Sequence, residues 1–336
     1  MTLSDARSWA VSQPLLRPVL GFARSTWRAL DRFNVTDGWA IASHVAMTAL
    51  MAMFPFLIFL TAFASFLDLS DLAQTGVDLI FEAWPPSVAG PIAGEVRSVL
   101  TVRRGDLLTI GILLALYFSS NGVEALRVGL NRAYGVAEHR SYLWLRLQSA
   151  GFVLLGSLVL LTLALLVVVG PVLWSTVQHE IALDQLSGLA DSSGLSATAP
   201  YGFVMSQLGT LVRYSITVVV MAVALFVAHL WLPAGRRKVR EVAPGVVLTI
   251  VAWILGAVGF GTYLANFGTY ASTYAGLAGV MTALVFLYLL AAILLFGASL
   301  NAARIEHRLS KKLIEQMDDD APDQIRPSGA KVEARR

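Results

Sequence analysis

The longest uncharged stretch of the sequence sets the strongest limit on its fold. Residues 242–301 contain no Asp, Glu, Lys or Arg. A helix of about twenty apolar residues crosses the hydrocarbon core of a bilayer. This stretch is therefore too long for one crossing, and a polar cluster at residues 266–274 divides it into two.

The composition agrees with a membrane location. Of the 336 residues, 56% are hydrophobic and 14% are charged, whereas soluble domains are about 25% charged. The absence of cysteine excludes disulfides, thiolate metal sites and cysteine nucleophiles. We therefore predict an all-α integral membrane protein, with short amphipathic helices at the N-terminus and in the first external loop.

Apolar stretches predict six transmembrane helices, at about residues 39–67, 107–123, 149–174, 211–232, 244–266 and 277–303. The first span contains Pro55, which should kink it because proline removes a backbone hydrogen bond. We assign residues 1–36 to a cytosolic amphipathic segment and residues 37–304 to the membrane domain. Residues 305–336 are predicted to form a charged cytosolic tail, in which a helical extension with Lys311 and Lys312 precedes a largely disordered end that begins at the acidic run 318–320.

The positions of the basic residues favour this topology. With the N-terminus in the cytosol, the cytosolic segments hold five, four, four and eight Lys or Arg in chain order, 21 of the 25 in the chain. Cytoplasmic segments of membrane proteins carry such an excess. We predict that both termini are cytosolic, and we attribute the excess of basic residues to topology rather than to nucleic-acid binding.

Residues 14–33 have the pattern of an amphipathic helix. Its apolar positions recur at spacings of four and three residues: Leu16, Leu20, Ala23, Trp27 and Leu30. A basic helix with a Trp suits the anionic cytoplasmic interface of a membrane, but it equally suits packing on the cytosolic side of the protein itself. Two further short amphipathic helices fit residues 68–106, on the outer face.

A polar stripe follows the second span without a proline or an obvious turn. Its members are Ser120, Asn121, Glu124, Arg127 and Asn131. At about 100° per residue, all of these except Asn121 fall on one side of a helix that continues through the glycine at position 122. Lipid would leave such a stripe unpaired. It marks either a helix that leaves the membrane or a functional surface in a polar cavity.

A second candidate polar face lies near the outer end of the fifth span. Helical spacing places Tyr263, Asn266 and Tyr270 on one side. Tyrosine at the end of a span is also an ordinary interfacial anchor, so this face has two interpretations.

Four features together resemble the YihY/BrkB family of bacterial inner-membrane proteins, formerly called ribonuclease BN. The features are residues 49–57 with the sequence Phe54-Pro55-Phe56-Leu57, Asn131-Arg132-Ala133-Tyr134-Gly135 followed by Arg140 and Arg146, Leu232-Pro233 with Pro244-Gly245, and residues 274–302 ending in Gly297-Ala298-Ser299-Leu300-Asn301-Ala302. The sequence departs from the family pattern at Thr48, Ala49 and Ala275. The resemblance implies a location in the bacterial inner membrane. It also implies a role in envelope integrity or in the movement of a lipid or other amphiphile.

The residues themselves leave two function classes open. A transporter or flippase is favoured by the polar stripe, by Pro55 and by the face of Tyr263, Asn266 and Tyr270. No ATP-binding motif and no inverted repeat is evident. A scaffold for envelope machinery would instead use the external segments 68–106 and 175–207 as docking surfaces. The expected partners are thus membrane lipids or envelope proteins, without nucleic acid.

Enzymatic activity is not expected from the sequence. Metal-dependent RNA cleavage needs clustered His and carboxylate ligands, and the five His residues are isolated. The old ribonuclease name is therefore unsupported by any metal or nuclease motif, and we expect neither a metal nor another cofactor.

Overall fold

The computed structural model describes residues 16–69, 75, 77–79, 81, 108–189, 215–216, 218–266 and 270–319. The regular elements within these ranges are α-helices, and no strand occurs among them. The long helices are α1 Leu16–Val35, α2 Gly38–Phe66, α3 Leu108–Tyr134, α4 Tyr142–Leu189, α5 Val218–Trp231, α6 Val239–Asn266 and α7 Tyr270–Asp319. The all-α prediction is confirmed for this part of the chain.

Within the described residues, four helices are long and apolar enough to cross a membrane. They are α2, the Tyr142–Leu165 part of α4, the Val239–Ala265 part of α6 and the Gly279–Met317 part of α7. The described part of α5 is apolar but shorter. The α3 helix is long, but its second half carries charged side chains. Four of the six predicted spans thus have the length and composition that a crossing requires.

Two connections at one end of the bundle set where the helices meet. Gly135 ends α3 with a φ of +65°, and Gly235 has a φ of +83° in the turn between α5 and α6. These backbone angles favour glycine, which has no Cβ. After the second turn, the Glu241 carboxylate accepts a hydrogen bond from the Lys238 backbone N–H at 2.8 Å, which stabilises the start of α6.

The connection from α3 to α4, residues 135–141, folds back along α3. The Glu138 side chain in this connection contacts Arg127 and Asn131, which lie about two turns and one turn, respectively, before the end of α3. Farther back along α3, Arg146 near the start of α4 contacts the carbonyl oxygen of Tyr117. The last turns of α3 therefore project beyond the start of α4.

The core has two main apolar clusters. Near the α3–α4 connection, Phe33, Leu130, Leu232, Leu295 and Ala298 pack together with their neighbours from α1, α2, α3, α6 and α7. A second cluster includes Leu57 and Leu60 of α2, Leu161 of α4 and Phe286 of α7, together with Val77 and Phe81. Since α2 packs against both α3 and α7, it ties the two clusters together.

The N-terminal helix packs against the protein's own surface. In α1, Ala29 and Phe33 are buried, and the Arg32 guanidinium donates to the Ala133 carbonyl at 2.8 Å and pairs with Glu306 of α7. Trp27 is 72% exposed, and Leu30 is exposed beside it. One face of α1 thus contacts the protein and another is open, so membrane contact through the open face stays a prediction.

Two helices run beyond the predicted spans. The α7 helix continues past Arg304, as the predicted helical extension requires, and ends at Asp319, so the acidic run begins inside the helix. Helix-forming residues run on there without a Gly or Pro. The α3 helix continues from the predicted second span through the polar stripe to Tyr134. The two helices predicted in residues 68–106 fall mostly outside the described residues, as do residues 320–336.

Candidate functional site

The polar stripe belongs to one continuous helix, because α3 runs through Gly122 as the spacing predicted. Glu124 and Arg127 form the expected i,i+3 ion pair. Arg127 also pairs with Glu138 of the folded-back connection, with an N–O distance of 3.3 Å. The Arg127 side chain is only 5% exposed. It is therefore a nearly buried cation held between two carboxylates.

Glu138 is the acceptor at the centre of this network. It accepts hydrogen bonds from Arg140 Nε at 2.8 Å and Nη2 at 2.7 Å, and from the Asn131 side-chain amide at 3.0 Å. These bonds, chiefly the one from Arg140, lower the pKa of the Glu138 carboxyl to about 2. The same pairing raises the pKa of the Arg140 guanidinium. Glu138 is therefore an anion at any physiological pH.

The network also forms hydrogen bonds with the end of α5 and the turn that follows it. The Asn131 side-chain oxygen accepts a hydrogen bond from the Ala234 backbone N–H at 2.7 Å, and Arg140 Nη2 donates to the Leu232 carbonyl at 2.8 Å. From α4, the Gln148 amide donates to the Trp231 carbonyl at 2.7 Å. Backbone groups at a helix end lack partners within the helix, and here side chains from α3, from the connection and from α4 supply partners.

A second polar cluster joins α6 and α7 to the end of α3. The Asn301 side chain accepts from the Gly245 N–H at 2.7 Å and donates to the Val242 carbonyl at 2.9 Å and to the Tyr134 hydroxyl at 3.3 Å. The Arg237 guanidinium lies over the Tyr134 ring, 3.8 Å from its centroid. Asn301 thus satisfies both a backbone donor and a backbone acceptor within the membrane domain.

Burial shifts the pKa values of this second cluster. Loss of solvent raises the pKa of the Tyr134 hydroxyl to about 12 and lowers the pKa of the Arg237 guanidinium. His229 of α5 packs edge-on against Tyr134. It is fully buried, and its Nε2 has no hydrogen-bond partner.

A cavity of about 380 Å³ opens beside the first network. It is lined by residues of the two connections: Val136, Ala137, Glu138, His139, Arg140, Ala234 and Gly235. Glu138 and Arg140 are among the lining residues, but the surface presented to the cavity is mostly apolar. Their charged groups pair with each other, and Glu138 also pairs with Arg127. A polar group that enters has to displace these pairs to reach the anion or the cation.

The structure brings together most, but not all, of the predicted stripe. Glu124, Arg127 and Asn131 belong to the network. Asn121 accepts a hydrogen bond from Arg146 at 2.7 Å, while the buried Ser120 hydroxyl donates only to the Tyr117 carbonyl of its own helix, at 2.7 Å. Ser120 is thus a packed helix residue and not a member of the network.

The second candidate face lies partly outside the described residues. Tyr263 and Asn266 lie at the end of α6 and Tyr270 begins α7, while residues 267–269 between them fall outside the described residues. The common side of Tyr263, Asn266 and Tyr270 therefore stays a prediction. Tyr263 is 54% exposed, and its ring stacks on Phe260. Pro55 lies inside α2, and its kink stays a prediction.

Several residues of the site carried no functional prediction. Glu138 and Arg140 stand in a short connection, and their role depends on its fold-back. Asn301 could have been noticed, because a lone amide in an apolar span needs an internal partner. Among the described residues, no group of three His, Asp or Glu side chains could hold a metal ion.

The three later segments that resembled the YihY/BrkB family meet at this site. Asn131 and Tyr134 come from the first of them, Leu232 from the second, and Asn301 from the third. Segments that are far apart in the sequence and resemble the family are thus neighbours in the fold.

Comparison with known proteins agrees with that resemblance. The family model described as "Virulence factor BrkB" matches residues 29–322. The ribonuclease-like protein YfkH of Bacillus subtilis (strain 168) is 29% identical over 81% of this chain and 92% of its own length. A UPF0761 membrane protein of Tolumonas auensis is 25% identical over 91% of this chain and 92% of its own.

A UPF0761 membrane protein of Rhodospirillum centenum is 27% identical over 84% of this chain, which spans only 58% of that relative. No solved structure matches the chain. With a family model that covers most of its length and four helices suited to a bilayer, the chain is a membrane protein that belongs to the BrkB family.

Proposed function

We propose that the protein crosses the bacterial inner membrane six times, with both termini in the cytosol. Four helices with the length of a span and the positions of 21 of the 25 Lys and Arg support this topology. In it, α3 and α5 supply the other two crossings. The charged network and the cavity then lie at the cytosolic ends of the helices.

Reporter fusions test the topology. Fusions within residues 124–148 and after Lys312 should report a cytosolic location, and fusions within residues 187–200 an external one. An external signal after Lys312 would rule out the six-span arrangement, because it requires an odd number of crossings.

We further propose that the protein moves a lipid or other amphiphile across the membrane. The carrying observation is that Glu138 and Arg140 line a cavity while they hold the ends of α3 and α5 together. A polar headgroup that enters this cavity can replace the Arg140–Glu138 and Asn131–Glu138 bonds one by one. The apolar tail meanwhile stays in lipid. Charged groups in this position offset the cost of removing the headgroup from water.

Reconstitution provides the test of movement. Purified protein is placed in liposomes that carry fluorescent phospholipids, and a membrane-impermeant reductant measures how fast inner-leaflet lipid becomes accessible, with and without a proton gradient. The wild-type protein should accelerate exchange over empty liposomes, and Glu138→Gln should slow it. Glu315→Gln serves as the control, since Glu315 is 61% exposed on the C-terminal end of α7.

A scaffold for envelope machinery is the second candidate. It is favoured by the internal pairing of Glu124, Arg127, Glu138 and Arg140, which is the arrangement of a structural seal. Liposomes with correctly folded wild-type protein and no accelerated exchange, in either condition, would favour the scaffold over the transporter.

We propose that the protein has no nuclease activity. The carboxylates of the network are occupied by arginine, which is the wrong partner for a metal-dependent reaction. Incubation of the purified protein with RNA and Mg²⁺ or Mn²⁺ should leave the RNA intact, and cleavage that co-purifies with the protein would contradict this.

A further inference from the structure

Arg146, near the start of α4, is a cation without a carboxylate partner among the described residues. Its Nη2 donates to the Asn121 side chain at 2.7 Å and to the Tyr117 carbonyl at 3.3 Å. Its guanidinium lies over the Tyr117 ring, 3.8 Å from the centroid. Each of these partners is neutral, so the positive charge is oriented but not compensated.

The guanidinium retains donors for a further ligand. Both of these hydrogen bonds use Nη2, which leaves Nη1 for a further ligand, while Nε is buried without a partner. Stacking on Tyr117 and the bond to Asn121 fix the plane of the group. A preorganised guanidinium loses little conformational freedom when it binds a phosphate with two parallel N–H donors.

The surface around this cation is apolar and aromatic. Toward the other end of α3, the exposed side chains of Ile110, Leu113 and Leu114 follow Tyr117 at helical spacing. On α4, Leu143 is 78% exposed and Leu147 is 64% exposed. A charge at the end of an exposed apolar stripe matches a ligand with an anionic head and hydrocarbon chains.

Tyr142 completes the site. Its side chain is close to those of Tyr117 and Arg146, and the residue is 66% exposed. In the proposed topology, Arg146 lies near the cytosolic end of the third span, in the headgroup region and not among acyl chains. Tyrosine and arginine in the headgroup region contact lipid phosphates.

We propose that Arg146, Tyr117 and Tyr142 bind the phosphate of an anionic phospholipid in the cytosolic leaflet, with its acyl chains along the exposed apolar stripe of α3. The site uses the topology proposed above but does not require transport, since the lipid binds at equilibrium. It is separate from the cavity, which Glu138 and Arg140 line. A protein that moves no lipid can still bind one here.

Native mass spectrometry of the full-length protein in detergent micelles tests the site. The probes are phosphatidylglycerol and phosphatidylcholine with identical acyl chains, added in equal amounts. Because hydrogen bonds to a charged group contribute about 1.5–3 kcal/mol, we expect the wild-type protein to retain phosphatidylglycerol roughly tenfold more strongly than Arg146→Gln does. Equal retention of the two lipids by the wild-type protein would overturn the proposal.

Matched variants separate this site from general charge effects. Arg132→Gln removes the same charge from an arginine that is 60% exposed and should keep the lipid preference. An equal loss in Arg132→Gln would overturn the proposal. Tyr142→Phe changes one exposed hydroxyl, so it should fold normally and weaken the preference by a smaller factor; if Arg146→Gln misfolds, an unchanged preference in Tyr142→Phe overturns the proposal.

Free phosphate is the remaining alternative ligand. Millimolar inorganic phosphate should not displace the bound phosphatidylglycerol, because it lacks the acyl chains. Complete displacement would contradict the lipid assignment. Neither result depends on the flux measurement in liposomes, so a failure of lipid transport and a failure of this site are distinguishable.

Discussion

The side-chain oxygen of Asn131 lies 2.7 Å from the backbone nitrogen of Ala234, 103 residues later in the chain. The nitrogen of the same amide donates to Glu138 at 3.0 Å. One side chain thus joins α3, the connection after it and the turn after α5. It can do so only as a neutral amide, which supplies both a donor and an acceptor.

Asn131→Asp should lower the stability of the protein. A carboxylate at this position faces the Glu138 carboxylate and loses the donor, so we expect a loss of about 1–3 kcal/mol. Thermal unfolding in detergent measures it. Asn34→Asp, at an exposed position on α1, is the control and should change the unfolding temperature little; an equal shift in both variants would contradict the assigned role.

Arg127→Met should cost more stability than Glu124→Gln. Removal of Arg127 leaves Glu124 without its ion-pair partner and takes one from Glu138. Because both carboxylates are partly exposed, we expect a loss below the roughly 3–5 kcal/mol of a fully buried pair. Glu124→Gln leaves Arg127 paired with Glu138, so about 1–3 kcal/mol is expected. Denaturation of both single variants and the double variant forms a cycle. Additive effects would show that the two residues are not coupled.

Glu138 should make stability sensitive to acid. Its folded pKa, about 2, is below the ordinary value of 4.5. Its contribution is therefore complete above the unfolded pKa and is lost as pH falls toward 2. We expect the unfolding temperature of the wild-type protein to fall between pH 5 and pH 3 more steeply than that of Glu138→Gln. Glu315→Gln should follow the wild-type curve, and parallel curves for the wild type and Glu138→Gln would contradict the prediction.

Gly297→Ala should separate α6 from α7. A Cβ at this position would overlap the Thr249 hydroxyl and lie 2.8 Å from the Gly245 carbonyl oxygen, and such overpacking costs about 1–3 kcal/mol. Gly259→Ala on α6 is a matched control, because its Cβ would have no neighbour within 4 Å. Thermal unfolding should distinguish the two variants, and similar unfolding temperatures would show that the helices can move apart freely.

The sequence predicted the positions of the helices better than the contacts between separate segments. Helical spacing predicted the Glu124–Arg127 pair correctly, because both residues lie on one helix whose geometry is fixed. Glu138 could not be placed in the same way, because its partners depend on how a seven-residue connection folds back. The extension of α7 beyond Arg304 was predicted, but Asp318 and Asp319 at its end were assigned to the disordered tail because charge was taken as a sign of disorder, although helix-forming residues can carry charge.

Asn301 has a further consequence for how the protein is made. Synthesis proceeds from the N-terminus, so the Gly245 N–H and the Val242 carbonyl receive this partner only after the last span has left the ribosome. Until then these two backbone groups near the start of α6 lack the contact with Asn301. A chain that stops after residue 295 should therefore be degraded faster than one that stops after residue 319, which a pulse-chase experiment would show; equal lifetimes would mean that the cell does not sense this gap. We thus expect the Asn301 contact to protect the newly made chain from degradation.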